Sequence, residues 1–260
     1  MRIPNPIIIG NFLIRYVKKV IRRVRDNIQF KKEFLLFKYL SDKTDPRFDI
    51  KWRDRYPCFS DMTVETAFDR HYVFHTAWAA RIIASNRPIE HVDISSLLYF
   101  VVLISAFVPV RFYDYRPVDL GLDNLVSGKA DLLNLPFSDG SIQSLSCMHV
   151  VEHLGLGRYG DPIDPDGDIK AIKEIKRVMA CGGDLLFVVP IGQPRVLFNA
   201  HRIYSYEQIM DMFNDLELIN FSLIPDNPRD GGLIDMASKE LADSQSYGCG
   251  CFWFRVSSEA

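Results

Sequence analysis

The chain has 260 residues, 48% of them hydrophobic and 25% charged, with a formal net charge of −2 at pH 7. That length holds one large α/β domain with an N-terminal piece, or two small domains. The near-neutral charge excludes a strongly basic nucleic-acid binder, and 12% aromatic residues exclude a disordered or low-complexity chain.

The charge is unevenly placed. Residues 1–33 carry nine Lys or Arg against Asp26 and Glu33, a balance of +7, and the remainder carries −9. Five cysteines (58, 147, 181, 249 and 251) are odd in number and widely spaced, so they make no disulfide framework and point to a reducing cytoplasm. The longest uncharged run, Ile94–Val110, is 17 residues with three serines and Pro109, short of the roughly 20 apolar residues a spanning helix needs. No small-residue cleavage site follows the apolar Pro6–Ile9, so no secretory signal is read there.

In chain order, Leu13, Val17, Val20, Ile21, Val24 and Ile28 recur at helical spacing among Arg15, Lys18, Lys19, Arg22, Arg23 and Arg25. This predicts a basic amphipathic helix over 12–28 whose apolar stripe must be covered. An anionic membrane surface at the inner face, the chain's own domain, or a second copy in a homo-oligomer would each serve. Residues 41–61 are polar and turn-rich and read as a linker. We therefore expect residues 1–60 to be a helical extension with its linker, and 61–260 to be the main domain. Val64, Phe68, Tyr72, His75, Trp78, Ala79 and Ile82 form a second helical stripe. His71 and His75 stand one turn apart on it, a spacing known for metal ligands, but without a third ligand nearby core packing is the simpler account.

From residue 90 strands and helices alternate. Strands are expected at 91–94, 110–113, 130–132, 142–147, 185–190, 216–224 and 250–256, and helices at 96–105, 168–180 and 206–213. The run 185–190 is apolar throughout, as a central parallel strand buried on both faces would be. The pattern predicts a doubly wound, mostly parallel α/β sheet. Ligands then bind past the carboxyl ends of the strands, which nominates Asp93 with Ser95 and Ser96, Asp114, Asp131, and Cys147 through His153.

The segments Ala130–Ile142 (Ala-Asp-Leu-Leu-Asn-Leu-Pro-Phe-Ser-Asp-Gly-Ser-Ile), Val150-Val-Glu-His153, Ala171–Leu186 and Arg202–Gln208 resemble, in this order, class I S-adenosylmethionine-dependent methyltransferases. Over residues 90–256 the resemblance implies a seven-stranded sheet ending in an antiparallel strand, and S-adenosylmethionine as cofactor. It further implies Asp93, Ser95 and Ser96 at the methionine end, Asp114 at the ribose, Asp131 with Leu132 at the adenine, and Cys147 beside them. More narrowly, His91–Ser96, Phe112–Pro117, Glu152–Pro162 and Phe198–Tyr204 look like domain-of-unknown-function family 268, a match that carries no activity. The wider family follows its first strand with acid-x-Gly-x-Gly-x-Gly; here Asp93-Ile-Ser-Ser-Leu-Leu keeps the acid and loses every glycine.

The activity implied is methyl transfer to a small-molecule or carbohydrate-type acceptor. A methyl sulfonium is already activated, so the protein aligns the acceptor and removes its proton. His153, Asp161 and His201 are the catalytic candidates, with Arg158, Tyr159 and Arg202 for the substrate; His149 is a further histidine near the mouth. The loop Glu152–Pro162 carries three glycines in six positions, which permits unusual backbone geometry. The alternative is a non-catalytic scaffold or membrane-surface module that has lost the cofactor loop. No metal is expected. Asp161, Asp164, Asp166 and Asp168 around Gly167 do not fit a calcium loop, and helix-start acids explain them before a looser magnesium site does. Cys249-x-Cys251 lacks a second thiol pair for structural zinc.

Overall fold

A computed structural model describes residues 6–44 and 47–257, with side chains from residue 15 onward. The chain divides into two compact units, residues 1–67 and 68–260.

The first unit is dominated by helix α1, Pro6–Asp42, far longer than the 12–28 stripe predicts. Proline occurs in it only at the first position, where its missing N–H is harmless. Leu13 falls outside the described side chains; Val17, Val20, Ile21, Val24 and Ile28 are exposed. Further along, Phe34 packs edge-on against Trp52 and Phe30 edge-on against Phe59, both of the segment that follows. Among the described residues, no helix is long and apolar enough to cross a membrane.

The second unit opens with α2, Arg70–Asn86, capped by the Asp69 carboxylate accepting from the Tyr72 N–H. The helix begins six residues later than the stripe from Val64 suggests. Strands and helices then follow in order: β1 His91–Ile94, α3 Leu98–Ile104, β2 Val110–Asp114, β3 Leu125–Lys129 and β4 Ile142–Met148. After these come α4 Gly167–Val178, β5 Met179–Ile191, a hairpin of β6 Arg195–Leu197 and β7 His201–Ile203, α5 Tyr206–Met212, β8 Leu216–Ile224, α6 Lys239–Asp243 and β9 Gly248–Val256.

Seven strands form one sheet in the order β3-β2-β1-β4-β5-β9-β8. β1 to β5 pair in parallel, and β9 lies antiparallel between β5 and β8. The doubly wound prediction holds, with one correction: the third strand is 125–129, and Asp131 makes only an isolated bridge to Asn134 just beyond it. Strand β5 shows how the core is split. Leu185, Phe187 and Val189 face the layer of α4 and α5, with Ile172, Ile175 and Phe213; Leu186 and Val188 face the layer of α2 and α3, with Trp78, Ile83 and Phe100. Helix α4 stops at Val178, before the Gly182-Gly183 pair, and these glycines lie inside β5, where a Cβ on Gly183 would stand 2.8 Å from the Ala180 carbonyl oxygen.

Strand order reverses between β1 and β4, and the parallel strands end together there. The switch point is therefore at Ser95 and His149.

Candidate active site

Beneath the switch point runs a fully buried polar chain. Asp93 in β1 accepts the Ser96 N–H (3.0 Å) on one oxygen and a short bond from the Ser146 hydroxyl on the other. Because Ser146 donates to Asp93, its oxygen accepts from His91 Nε2–H (2.8 Å), and the Ser144 hydroxyl donates to His91 Nδ1 (2.7 Å). Burial drives both groups toward neutrality: it raises Asp93 to about 6 and lowers His91 to about 3. Asp93 is wholly enclosed and lines neither cavity, so its expected place beside the cofactor is corrected. It is a positioning residue that pins the Ser95-Ser96 turn. Cys147 is also corrected: its side chain lies in the core under the sheet.

That turn stands where the resembled methyltransferases carry glycines, and one of its residues has a left-handed backbone. Ser95 has φ +57°, a left-handed conformation that costs an L-residue about 1–2 kcal/mol. His149, at the end of the adjacent strand β4, also has φ +57°. Strain of this kind at two neighbouring strand ends marks a place whose geometry is set by something other than local preference. The Ser95 hydroxyl donates to the Tyr113 carbonyl (3.3 Å), and the Ser96 oxygen accepts the Met148 N–H (3.2 Å).

Two cavities meet here. One, of about 400 Å³, is lined by Asp114, Asp131, Leu132, Ser95, His149 and Tyr159, among others. Asp114 ends β2, and one of its oxygens accepts the Arg116 N–H (2.7 Å); Asp131 holds the Leu133 N–H (2.9 Å) in the same manner. Each carboxylate therefore has an oxygen left for a ligand. The other cavity, of about 1000 Å³, is lined by His71, Tyr72, His149, His153, Arg158 and His201, among others. Ser95, His149, His153 and Tyr159 belong to both.

Four of the chain's six histidines line the larger chamber, and a fifth, His75, packs against His149 with ring centroids 5.1 Å apart. Sequence spacing pairs His71 with His75, but the fold pairs His71 with groups from two other elements. His71, His149 and Cys249 bring one ligand-type atom each to within 4.8 Å of one another. Burial lowers His71 to about 4 and His75 well below the usual imidazole range; His153 and His201 are lowered too, again by burial first. Burial thus disfavours the charged imidazolium in all four rings.

His153 donates Nδ1–H to the Ala200 carbonyl (2.6 Å), which leaves Nε2 as the acceptor nitrogen, with Arg158 Nη1 at 3.4 Å from it. The buried Glu152 carboxylate is 3.7 Å from that Nε2 and accepts from His149 Nδ1–H at 2.8 Å. Arg158 reaches the same Ala200 carbonyl (3.2 Å), and Tyr159 stacks edge-on to His153. His201 lies on β7, in a hairpin the sequence reading lacks, with Nε2 buried and unpartnered.

The other candidates turn out to brace the loop. Asp161 accepts the N–H groups of Gly155 (2.8 Å), Gly157 (3.3 Å) and Tyr159 (3.1 Å). Partial burial raises its pKa, but these backbone donors outweigh it and hold the carboxyl below the usual range, the wrong direction for a base. Arg202 is buried, donating to the carbonyls of Leu154 (2.6 Å) and Pro165 (3.1 Å) with Asp168 at 3.4 Å, so it locks the loop and meets no acceptor. Asp164 pairs with Lys170, and Asp168 accepts from Tyr204, which takes the acidic cluster apart. The three loop glycines all have positive φ, and a Cβ on Gly155 would overlap the Asp164 carbonyl oxygen at 1.9 Å.

Residues 139–247 match a family model described as Caenorhabditis protein of unknown function, DUF268. A comparison with curated proteins finds no match. Among solved structures the chain is similar to the N-methyltransferase NodS from Bradyrhizobium japonicum WM9 in complex with S-adenosyl-L-homocysteine, at 14% identity and a TM-score of 0.50, over 72% of this chain and 87% of that one. It is also similar to a Burkholderia thailandensis 1,6-didemethyltoxoflavin-N1-methyltransferase with bound 1,6-didemethyltoxoflavin and S-adenosylhomocysteine, at 10% identity and a TM-score of 0.51, over 88% and 90%. A third similar structure, the cyclase SpnF, aligns at 11% identity with a TM-score of 0.51 over 70% and 80%. A cyclase and two methyltransferases on one architecture show that the fold does not name the reaction. The chain therefore has the class I methyltransferase-like fold, and over residues 139–247 it matches the DUF268 family.

Proposed function

We propose that the chain transfers a methyl group from S-adenosylmethionine to a small or carbohydrate-type acceptor. The reading rests on one observation: a cleft flanked by the Asp114 and Asp131 carboxylates opens, at Ser95 and His149, into a large histidine-lined chamber. The cleft volume falls in the range of small-molecule and cofactor sites. In this reading Asp114 takes the ribose hydroxyls, Asp131 and Leu132 take the adenine, and the pinned Ser95-Ser96 turn faces the methionine end. S-adenosylmethionine would supply an already activated methyl group.

The chain's own residues then handle the acceptor. His153 Nε2, once the acceptor displaces the Arg158 guanidinium that lies 3.4 Å from it, removes an acceptor hydroxyl's proton, and Glu152 stabilises the imidazolium that forms. Arg158 and Tyr159 provide a cation and an aromatic face suited to a sugar or an anion. The tridentate hold on Asp161 keeps this loop in place.

A second reading, a scaffold without cofactor, is favoured by Ser95 and Ser96, whose side chains stand where the family has glycines and are bonded to protein. Isothermal titration with S-adenosylmethionine and S-adenosylhomocysteine separates the two. Binding is expected, weakened about 10- to 100-fold by Asp114→Ala through loss of a charge-assisted hydrogen bond. No heat at millimolar ligand would overturn the enzyme reading. The exposed stripe of α1 invites a membrane-surface role for the first unit; co-sedimentation with anionic vesicles, with and without residues 1–33, tests it.

A further inference from the structure

We propose that His71, His149 and Cys249 bind one divalent transition-metal ion of the zinc class, with its open coordination position facing the chamber. The three ligands arrive from α2, from the residue after β4 and from β9, so the fold rather than a sequence motif assembles them. His149 Nε2 lies 3.4 Å from Cys249 Sγ. A tetrahedral ion with nitrogen at about 2.0 Å and sulfur at about 2.3 Å sets those two atoms about 3.5 Å apart. His71 stands with its ring stacked on that of His149, centroids 5.7 Å apart, and closes the group from the chamber side.

The surroundings match a metal's second layer. Glu152 accepts from His149 Nδ1–H at 2.8 Å, which fixes the tautomer and turns the Nε2 lone pair toward Cys249, the carboxylate–histidine arrangement of metal sites. Glu152 is buried, one of its oxygens has no partner, and among the described residues no Lys or Arg lies within ion-pair distance of it. A buried carboxylate left this way is costly, and a cation on His149 supplies the missing positive charge. A simple thiol–imidazole hydrogen bond would explain the 3.4 Å contact. It would leave the uncompensated carboxylate unexplained.

A thiolate with two imidazoles selects zinc-like ions over magnesium or calcium. On binding, the Cys249 S–H bond breaks, sulfur keeps the electron pair to form the metal–sulfur bond, and the proton leaves to solvent. Three protein ligands leave the fourth position open, the pattern of a catalytic rather than a structural zinc. That position lies where the acceptor would enter, so an acceptor oxygen, nitrogen or sulfur would be bound and acidified there. This use rests on the methyl-transfer reading; the binding itself does not.

The test uses the full chain after chelation, titrated with Co²⁺ as a spectroscopic stand-in and then with Zn²⁺ in competition. One equivalent is expected, with thiolate-to-cobalt charge-transfer absorption and displacement by zinc. Cys249→Ser should abolish the charge-transfer band, Cys251→Ser should retain it, and Glu152→Gln should weaken zinc binding about 10- to 100-fold. If Cys249→Ser does not fold, His71→Ala, at the half-buried end of α2, must show the loss of tetrahedral cobalt binding instead. No stoichiometric binding, or a band that survives Cys249→Ser, overturns the proposal. S-adenosylhomocysteine titrated into the metal-free chain is read separately: its failure to bind counts against methyl transfer and leaves the cobalt result standing.

Discussion

Asp93→Asn changes the pH dependence of stability in a way that follows from the buried chain. The Asp93 acidity goes from 3.8 in the unfolded chain to about 6 when folded, and burial is the largest cause. Near pH 5 the folded state therefore holds a proton the unfolded state has lost. The stabilisation is complete below pH 3.8 and disappears as the pH rises through 6, so the ionised carboxylate costs the folded state about 3 kcal/mol at neutral pH. His91 has the opposite sign. Its folded value is about 3 against 6.5, so its contribution is complete above 6.5 and is lost as the pH falls toward 3. Between pH 3.8 and 6 the two slopes oppose each other in the natural chain. Asparagine removes one of them. Its amide can donate to Ser146, which then donates to His91 Nε2, and His91 Nδ1–H turns to Ser144; the chain stays fully bonded with the opposite polarity. Urea unfolding of both forms from pH 4 to 8 should give a difference curve that moves about 3 kcal/mol in the variant's favour between pH 4 and 6 and is flat above 7. The His91 tautomer, read by nitrogen NMR, should switch. Parallel stability curves with an unchanged tautomer would refute the account of this network.

His153→Gln should lower turnover about 10²- to 10⁴-fold while leaving S-adenosylhomocysteine affinity unchanged, because the ring acts on the acceptor's proton; steady-state kinetics alongside calorimetry would check both. Ser95→Gly removes a side chain from a left-handed position at the cofactor turn and should tighten S-adenosylhomocysteine binding, measured by titration; unchanged or weaker binding would show that the Ser95 Cβ is no obstacle. Gly155→Ala puts a Cβ into the Asp164 carbonyl at a positive φ and should cost about 3 kcal/mol or more in thermal or urea unfolding.

Much of the architecture is legible in the sequence. The uninterrupted apolar run 185–190 announced a strand buried on both faces, and β5 is that strand. The stripe Ile172, Ile175 and Val178 marks α4, whereas the two glycines that read as its stop lie inside β5. Asp114 and Asp131 were legible as strand-end acids, and the glycines of the 152–162 loop as backbone devices. Other points misled. Asp93 reads as a ligand because it carries the family's acid, yet it is buried and serves the turn. Arg202 and Asp161 read as reactive because charge in a loop looks available, whereas backbone carbonyls and N–H groups already occupy them. Strand β3 was displaced because its half-exposed residues carry little apolar pattern.

Local order along the chain decided which segments become helices and strands, because hydrophobic periodicity is a property of neighbours. The meeting of His71, His149 and Cys249 was decided only by the tertiary structure. Their separations in sequence hold no period. They converge because α2 packs over the sheet, β4 stops at the switch point, and β9 inserts antiparallel beside β5, three facts about the fold as a whole.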